Sequence, residues 1–210
     1  MLLITLKGNM RYEEFRKNLI QKGIFNLKDI HILFHDFDFR RLFEWQKKGY
    51  VSKIINGFYV FSEIEINESM LMKIANVIYS HSYISFETAL SYYGLIPESV
   101  YQITSASTRK TKIFNTLYGS FSYRSISPQL FFGYMIDPRN GYIIASAEKA
   151  LLDHLYFRKR FDENDLYEWR LNIDEYRKTV NEELVEKYLR IFNNKSLKRR
   201  YDILKEFVNA

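Results

Sequence analysis

Residues 39–61, FRRLFEWQKKGYVSKIINGFYVF, carry the most architectural information in the chain. Spacing at about 100° per residue makes 39–48 a short helix. On it, Phe39, Leu42, Phe43 and Gln46 fall on one side, the side expected to face a core. Arg41, Glu44 and Lys48 fall on the opposite side, flanked by Arg40 and Lys47. Gly49 suits the position just past a helix end, where a left-handed backbone carries no Cβ penalty. Residues 50–55 and 58–61 then read as two strands. Asn56-Gly57 between them is a strong hairpin signal, because both residues tolerate positive φ. A basic helix followed by a β-hairpin is the working end of a winged helix-turn-helix, in which the helix enters the DNA major groove and the hairpin lies along the backbone. The plainer reading, a solvated amphipathic helix beside an ordinary hairpin, stays open at this point.

The residues before this stretch complete the same inventory. Residues 10–22 place Phe15, Leu19 and Ile20 at helical spacing and stop at Gly23. Asn26 is placed to cap a second helix over 27–34, with Leu27, Ile30, Leu33 and Phe34 apolar. Asp36 or Asp38 caps the basic helix. A winged helix is therefore expected over residues 1–62 and a second domain over 63–210.

Beyond the boundary, residues 62–67, SEIEIN, alternate like a connecting strand, and 68–80 form a helix with Leu71, Ile74, Ala75 and Ile78 inward. Ser85 caps a helix over 86–93 that stops at Gly94, with a break at Pro97. From Val100 the pattern changes to strands, VYQITSAS, TKIF, YGSFSYRSI and LFFGYMI, with turns at Tyr118-Gly119 and Asn140-Gly141. After a last strand over 142–145, Ser146 caps a helix over 147–157 that packs through Ala150, Leu151, Leu155 and His154. A helical tail from about residue 158 follows, with segments over 165–171, 173–192 and 197–208. The expected fold class is α+β: a winged helix-turn-helix, then an α/β domain with a mainly antiparallel sheet and a helical tail.

Composition sets limits on function. The 210 residues are 47% hydrophobic and 27% charged, enough to bury a core. A net charge of +6 permits a polyanionic partner without demanding one. Cysteine is absent, which excludes disulfides, thiolate metal sites and cysteine nucleophiles. The N-terminal apolar run is too short for a signal peptide, and no run approaches the ~20 residues of a spanning helix, so a cytoplasmic protein without a membrane partner is expected. Between Glu98 and Asp137 no acidic residue occurs, while Arg109, Lys110, Lys112 and Arg124 lie among Tyr101, Phe114, Tyr118, Phe121 and Tyr123. That window reads as a surface for nucleic acid, as one for an acidic protein, or as an ordinary positive sheet face.

The run over 83–134, YISFETALSYYGLIPESVYQITSASTRKTKIFNTLYGSFSYRSISPQLFFGY, followed by YIIASAEKALLDHLYF over 142–157, resembles the AbiEi-type antitoxins of bacterial type IV toxin–antitoxin (abortive infection) systems. The most specific segments are S-x-E-x-A-L-x-x-Y-G-L-I-P, at 85–97, and A-S-x-E-K-A-L-L-D, at 145–153. The resemblance covers about residues 10–157 and implies a winged helix that binds inverted repeats in its own promoter and represses the operon. It also implies a second domain that counters a nucleotidyltransferase toxin, with or without stable contact. Carried onto this chain, the DNA-contacting candidates are Arg40, Arg41, Lys47 and Lys48 on the helix and Lys53 and Asn56 on the hairpin. The toxin-facing candidates Arg109, Lys110, Lys112 and Arg124 come from charge alone. Glu148, Lys149 and Asp153 belong to the matched segment and read as structural at helical spacing.

Enzyme readings find little support. A nucleotidyltransferase needs a Gly-Ser turn followed closely by metal-holding carboxylates; Gly119-Ser120 is followed by none before Asp137, and Asp36-x-Asp38 has no Gly-Ser ahead of it. A metal nuclease, the weakest alternative, has only Asp137 with Glu148-Lys149 at loose spacing. His31 and His35 lack a third ligand, His81 and His154 are isolated, and no G-x-S-x-G, P-loop or G-x-G-x-x-G occurs. Neither catalytic activity, a metal nor a cofactor is expected. The remaining alternative is a protein-interaction module whose winged helix does not read DNA.

Overall fold

The computed structural model describes residues 10–97, 102–159 and 161–210. The expected strand start at Val100 and Tyr101 lies outside them. The chain divides into two compact units at Met70/Leu71, with Thr116–Tyr118 grouped with the first.

In the first unit, α1 (Tyr12–Leu19) continues as a 3-10 turn (Ile20–Lys22) and ends at Gly23, whose φ of 72° is the left-handed backbone that glycine permits. β1 (Ile24–Asn26) leads directly into α2 (Leu27–Leu33). Asn26 makes that junction: its side chain accepts from the amides of Lys28 and Asp29, and Asp29 returns a bond to the Asn26 amide. This capping box satisfies orphan donors at the helix start. α3 (Phe39–Lys47) is capped by Asp38, which accepts from the Arg40 amide. β2 (Val51–Ile55) and β3 (Phe58–Phe61) follow, joined at Asn56-Gly57, where Gly57 has φ 84°. The sheet order is β1-β3-β2, antiparallel throughout. Its core is aromatic: the buried Phe15 ring lies 4.7 Å from Trp45, 5.5 Å from Phe25 and 5.3 Å from Phe37. Residues 62–67 are not the expected strand but turn and irregular backbone. β3, the strand they follow, already has β1 on one side and β2 on the other.

The second unit takes in most of α4 (Glu68–Ile78), β4 (Ser82–Ile84), α5 (Phe86–Tyr92), β5 (Gln102–Ser107), β6 (Lys112–Thr116), β7 (Gly119–Ser125), β8 (Tyr134–Ile136), β9 (Ile143–Ala145) and α6 (Ala147–Tyr156). A tail of α7 (Glu163–Trp169), α8 (Ile173–Thr179), α9 (Glu182–Phe192) and α10 (Lys195–Asn209) follows. The sheet order is β6-β7-β5-β4-β9-β8. It is mixed: β5 pairs with β7 and β4 with β9 in parallel, whereas β4–β5 and β8–β9 are antiparallel. Side-chain alternation is the same in both orientations, so strand direction was not readable from it. The single helix expected over 173–192 is two, because Asn181 caps α9 by accepting from the Leu184 amide. The fold class is α+β with a helical C-terminal region.

α6 is buried along nearly its whole length, Ala147 through Leu155, including Glu148, Lys149, Asp153 and His154. A helix buried all round is normally apolar. Here four ionisable side chains are inside, and each needs compensating contacts.

Candidate functional site

α3 is rotated from the expected orientation. Leu42 and Trp45 are the residues it buries, whereas Phe39 is 45% and Phe43 59% exposed. The exposed stripe therefore runs Phe39, Phe43, Lys47 at i, i+4 spacing, with Arg40 and Glu44 beside it. Two apolar pairs compete on this helix, Phe39 with Phe43 and Leu42 with Trp45. The indole of Trp45 decides between them, because it supplies more area to the aromatic core.

The cations follow the rotation. Arg40 is exposed, its side chain 87% accessible, and pairs with Asp38 across 2.9 Å. Lys47 and Lys48 are exposed, and the Lys47 ammonium lies 4.6 Å from the Phe43 ring centroid. Arg41 is different. Only 27% of its side chain is exposed, and its guanidinium donates to Glu44 at 3.2 Å and to the Met10 carbonyl at 3.3 Å. That replaces the expected outward position of Arg41 with a tether between α3 and the segment before α1. On the hairpin, Lys53 projects from β2 between the buried Val51 and Ile54 and is exposed, as is Asn56 in the turn. Arg40, Lys47, Lys48, Lys53 and Asn56 are thus solvent-facing residues of one compact unit. Phe39 and Phe43 are the outward residues that helical spacing assigned to the core.

In the second unit, three of the four toxin-facing candidates are near one another and the fourth is not. The Arg109 guanidinium lies 4.2 Å from the Tyr79 ring centroid, Lys112 lies 5.0 Å from that of Phe114, and the Tyr79 hydroxyl donates to the Lys110 carbonyl at 2.7 Å. The rings of Tyr79, Phe114 and Tyr123 pack together beneath these cations. Arg124 follows Tyr123 on β7 and points to the other face of the sheet, since successive strand residues alternate. There it donates to Glu87 at 2.9 Å and stacks 4.5 Å from the Phe86 centroid. Arg124 is thereby removed from the patch.

The matched segments 85–97 and 145–153 converge on a buried polar cluster. Asp153 accepts from the Tyr83 hydroxyl at 2.9 Å, from the Ser85 hydroxyl at 2.8 Å and from Lys149. Lys149 also donates to the Tyr83 hydroxyl at 2.8 Å, and its ammonium lies against the rings of Phe132 and Phe192. Ser85 occupies the position before α5, but its hydroxyl is spent on Asp153 instead of capping. Gly133 makes room for the cluster: a Cβ there would come within 3.1 Å of the Lys149 side chain. Burial pushes Asp153 upward and Lys149 downward in pKa, each toward its neutral form, against their mutual attraction. Glu148 is also placed for structure, since it accepts from the Asn181 amide at the start of α9.

Next to Asp153 on α6, His154 faces Glu87, Arg124 and Arg158 at a cleft of about 380 Å³ that Phe157 also lines. Burial dominates His154 and lowers its pKa to about 4, although Glu87 approaches its Nδ1 within 3.4 Å. Asp137 accepts from the amides of Arg139 and Asn140 in the turn before β9. Among the described residues no group of three or more His, Asp or Glu is placed to hold a metal ion. No helix among them is long and apolar enough to cross a membrane.

No family model matches this chain, and no curated protein does. Among solved structures, the crystal structure of the RV2827C protein from Mycobacterium tuberculosis is similar, with a TM-score of 0.52 and 13% identity, covering 86% of this chain and 73% of that one. At that identity the likeness concerns the fold alone.

Proposed function

We propose that this chain is a DNA-binding autorepressor of the antitoxin type, with its first unit a winged helix-turn-helix. The observation that carries the reading is the element order α1-β1-α2-α3-β2-β3, with α3 turning Arg40, Lys47 and Lys48 outward beside a hairpin that exposes Lys53 and Asn56. In that architecture α3 enters the major groove and the β2–β3 hairpin follows the backbone. Arginine and lysine there meet phosphates or guanine edges, fixing register and adding sequence preference. Arg41 acts by anchoring α3 rather than by touching DNA. On the same reading the second unit counters a nucleotidyltransferase-type toxin, and Arg109, Lys110 and Lys112 are its candidate contact. The antitoxin assignment rests on the resemblance of segments 85–97 and 145–153; the DNA assignment rests on the first unit's own geometry.

The test is electrophoretic retardation of the DNA immediately upstream of the chain's own coding sequence. The variant Arg40→Ala, Lys47→Ala, Lys48→Ala, Lys53→Ala is expected to fold, because all four side chains are exposed. It should bind at least about a hundredfold more weakly, since each charge-assisted contact to phosphate is lost. Full affinity in this variant would sink the assignment of α3 and the hairpin.

A further inference from the structure

Resting on the DNA-reading proposal above, we infer that Phe39 and Phe43 read the C5-methyl groups of thymine, which makes the site they serve one with thymines at fixed positions. Soluble proteins place single apolar side chains on their surface freely, but two aromatic rings in one stripe of a nine-residue helix, flanked by cations, mark a contact surface. Phe39 is the first residue of α3 and Phe43 lies one turn on, at the N-terminal part of the helix that approaches base edges in this docking geometry. The thymine methyl is the apolar feature displayed in the major groove, and apolar side chains are its partners.

Both rings are held in place. The Phe39 ring stands edge-on to buried Phe37 at 5.3 Å, and the Lys47 ammonium sits over the Phe43 ring at 4.6 Å. Arg40 and Lys47, beside and beyond the rings, supply charge complementary to the phosphates that line the groove. The same charges argue against a second copy as the occupant. A two-fold contact repeats one patch against itself and brings these cations toward their own counterparts.

The test uses the full chain and the tightest duplex recovered by selection from a random pool, synthesised once with thymine and once with uracil at every thymine. Wild-type protein is expected to bind the uracil duplex about fourfold more weakly for each methyl contacted, the factor that one buried methylene-sized group supplies. Phe43→Ala is expected to reduce that discrimination and to bind the uracil duplex nearly as wild type does. Equal binding of both duplexes by wild type overturns methyl reading and leaves DNA binding standing. A thymine preference that persists undiminished in both Phe43→Ala and Phe39→Ala belongs to duplex shape and also overturns it. Loss of a dimer in Phe43→Ala, seen by sedimentation without any uracil effect, would make the stripe a self-association surface instead. Failure of any duplex to be enriched removes the DNA reading itself, and the inference with it.

Discussion

At the scale of single residues, the side chains with the largest consequences are ionisable groups inside α6. His154 is 3% exposed and is contacted edge-on by Trp169 at 4.3 Å. Its Nε2 accepts from Arg158, while Glu87 lies near its Nδ1. Protonation would therefore place a largely buried cation between two guanidinium groups with a single carboxylate to offset them. Its pKa falls from 6.5 to about 4 for this reason, burial first. A histidine that binds its proton less readily in the folded chain than in the unfolded one leaves stability intact above the unfolded value. It removes stability as pH falls from there toward the folded value. Lowering pH from about 7 to about 5 should cost about 2 kcal/mol of unfolding free energy, before the carboxylates begin to titrate. Urea unfolding at the two pH values checks this, and His154→Gln should flatten the difference. Lys149 and Asp153 are placed differently: they compensate each other, so the pair holds its position through partners rather than through exposure.

At the scale of elements, most of what punctuation specifies was legible, and most of what depends on partners was not. Gly23, Asn26, Asp38, Asn56-Gly57 and Ser146 each mark a boundary within a residue or so of where it lies, because caps and positive-φ turns are local chemistry. β1 is three residues long and left no periodic trace, yet it supplies the third strand of the first sheet. The orientation of α3 failed for a related reason: spacing offers two stripes, and only the neighbouring aromatic rings choose Trp45 over Phe43. The candidate site inherited that error, so its cations were largely readable while its aromatic residues were not. Arg124 was misgrouped because charge density along a sequence ignores which face of a strand each residue takes. The local devices can be tested singly. Asn26→Ala removes the oxygen that accepts from the Lys28 and Asp29 amides and should destabilise the first unit by about 1 kcal/mol. Thermal unfolding followed through the buried Trp45 is the measurement, and an unchanged midpoint would show that β1–α2 is held by packing alone.

At the scale of the whole molecule, the net charge of +6 says little until its distribution is considered. Residues 39–61 hold five Lys or Arg and a single acidic residue, Glu44. Arg41 takes up Glu44, leaving Arg40, Lys47, Lys48 and Lys53 facing solvent. Arg40 keeps Asp38 as a partner at an exposed site, where an ion pair contributes little and yields readily to phosphate. If these four cations each neutralise one phosphate, the logarithm of the DNA association constant should fall against the logarithm of salt concentration with a slope of about −3 to −4 per bound copy. Two copies on an inverted repeat would double that slope to about −7. Stoichiometry measured independently by native mass spectrometry fixes the number of copies, so the slope can be stated per copy and compared with the four cations of α3 and the hairpin. A slope near zero would mean that the basic surface does not meet phosphate. A slope per copy well beyond −4 would mean that cations outside residues 39–61 also touch the duplex, with the exposed Arg109, Lys110 and Lys112 the first to be replaced in that case.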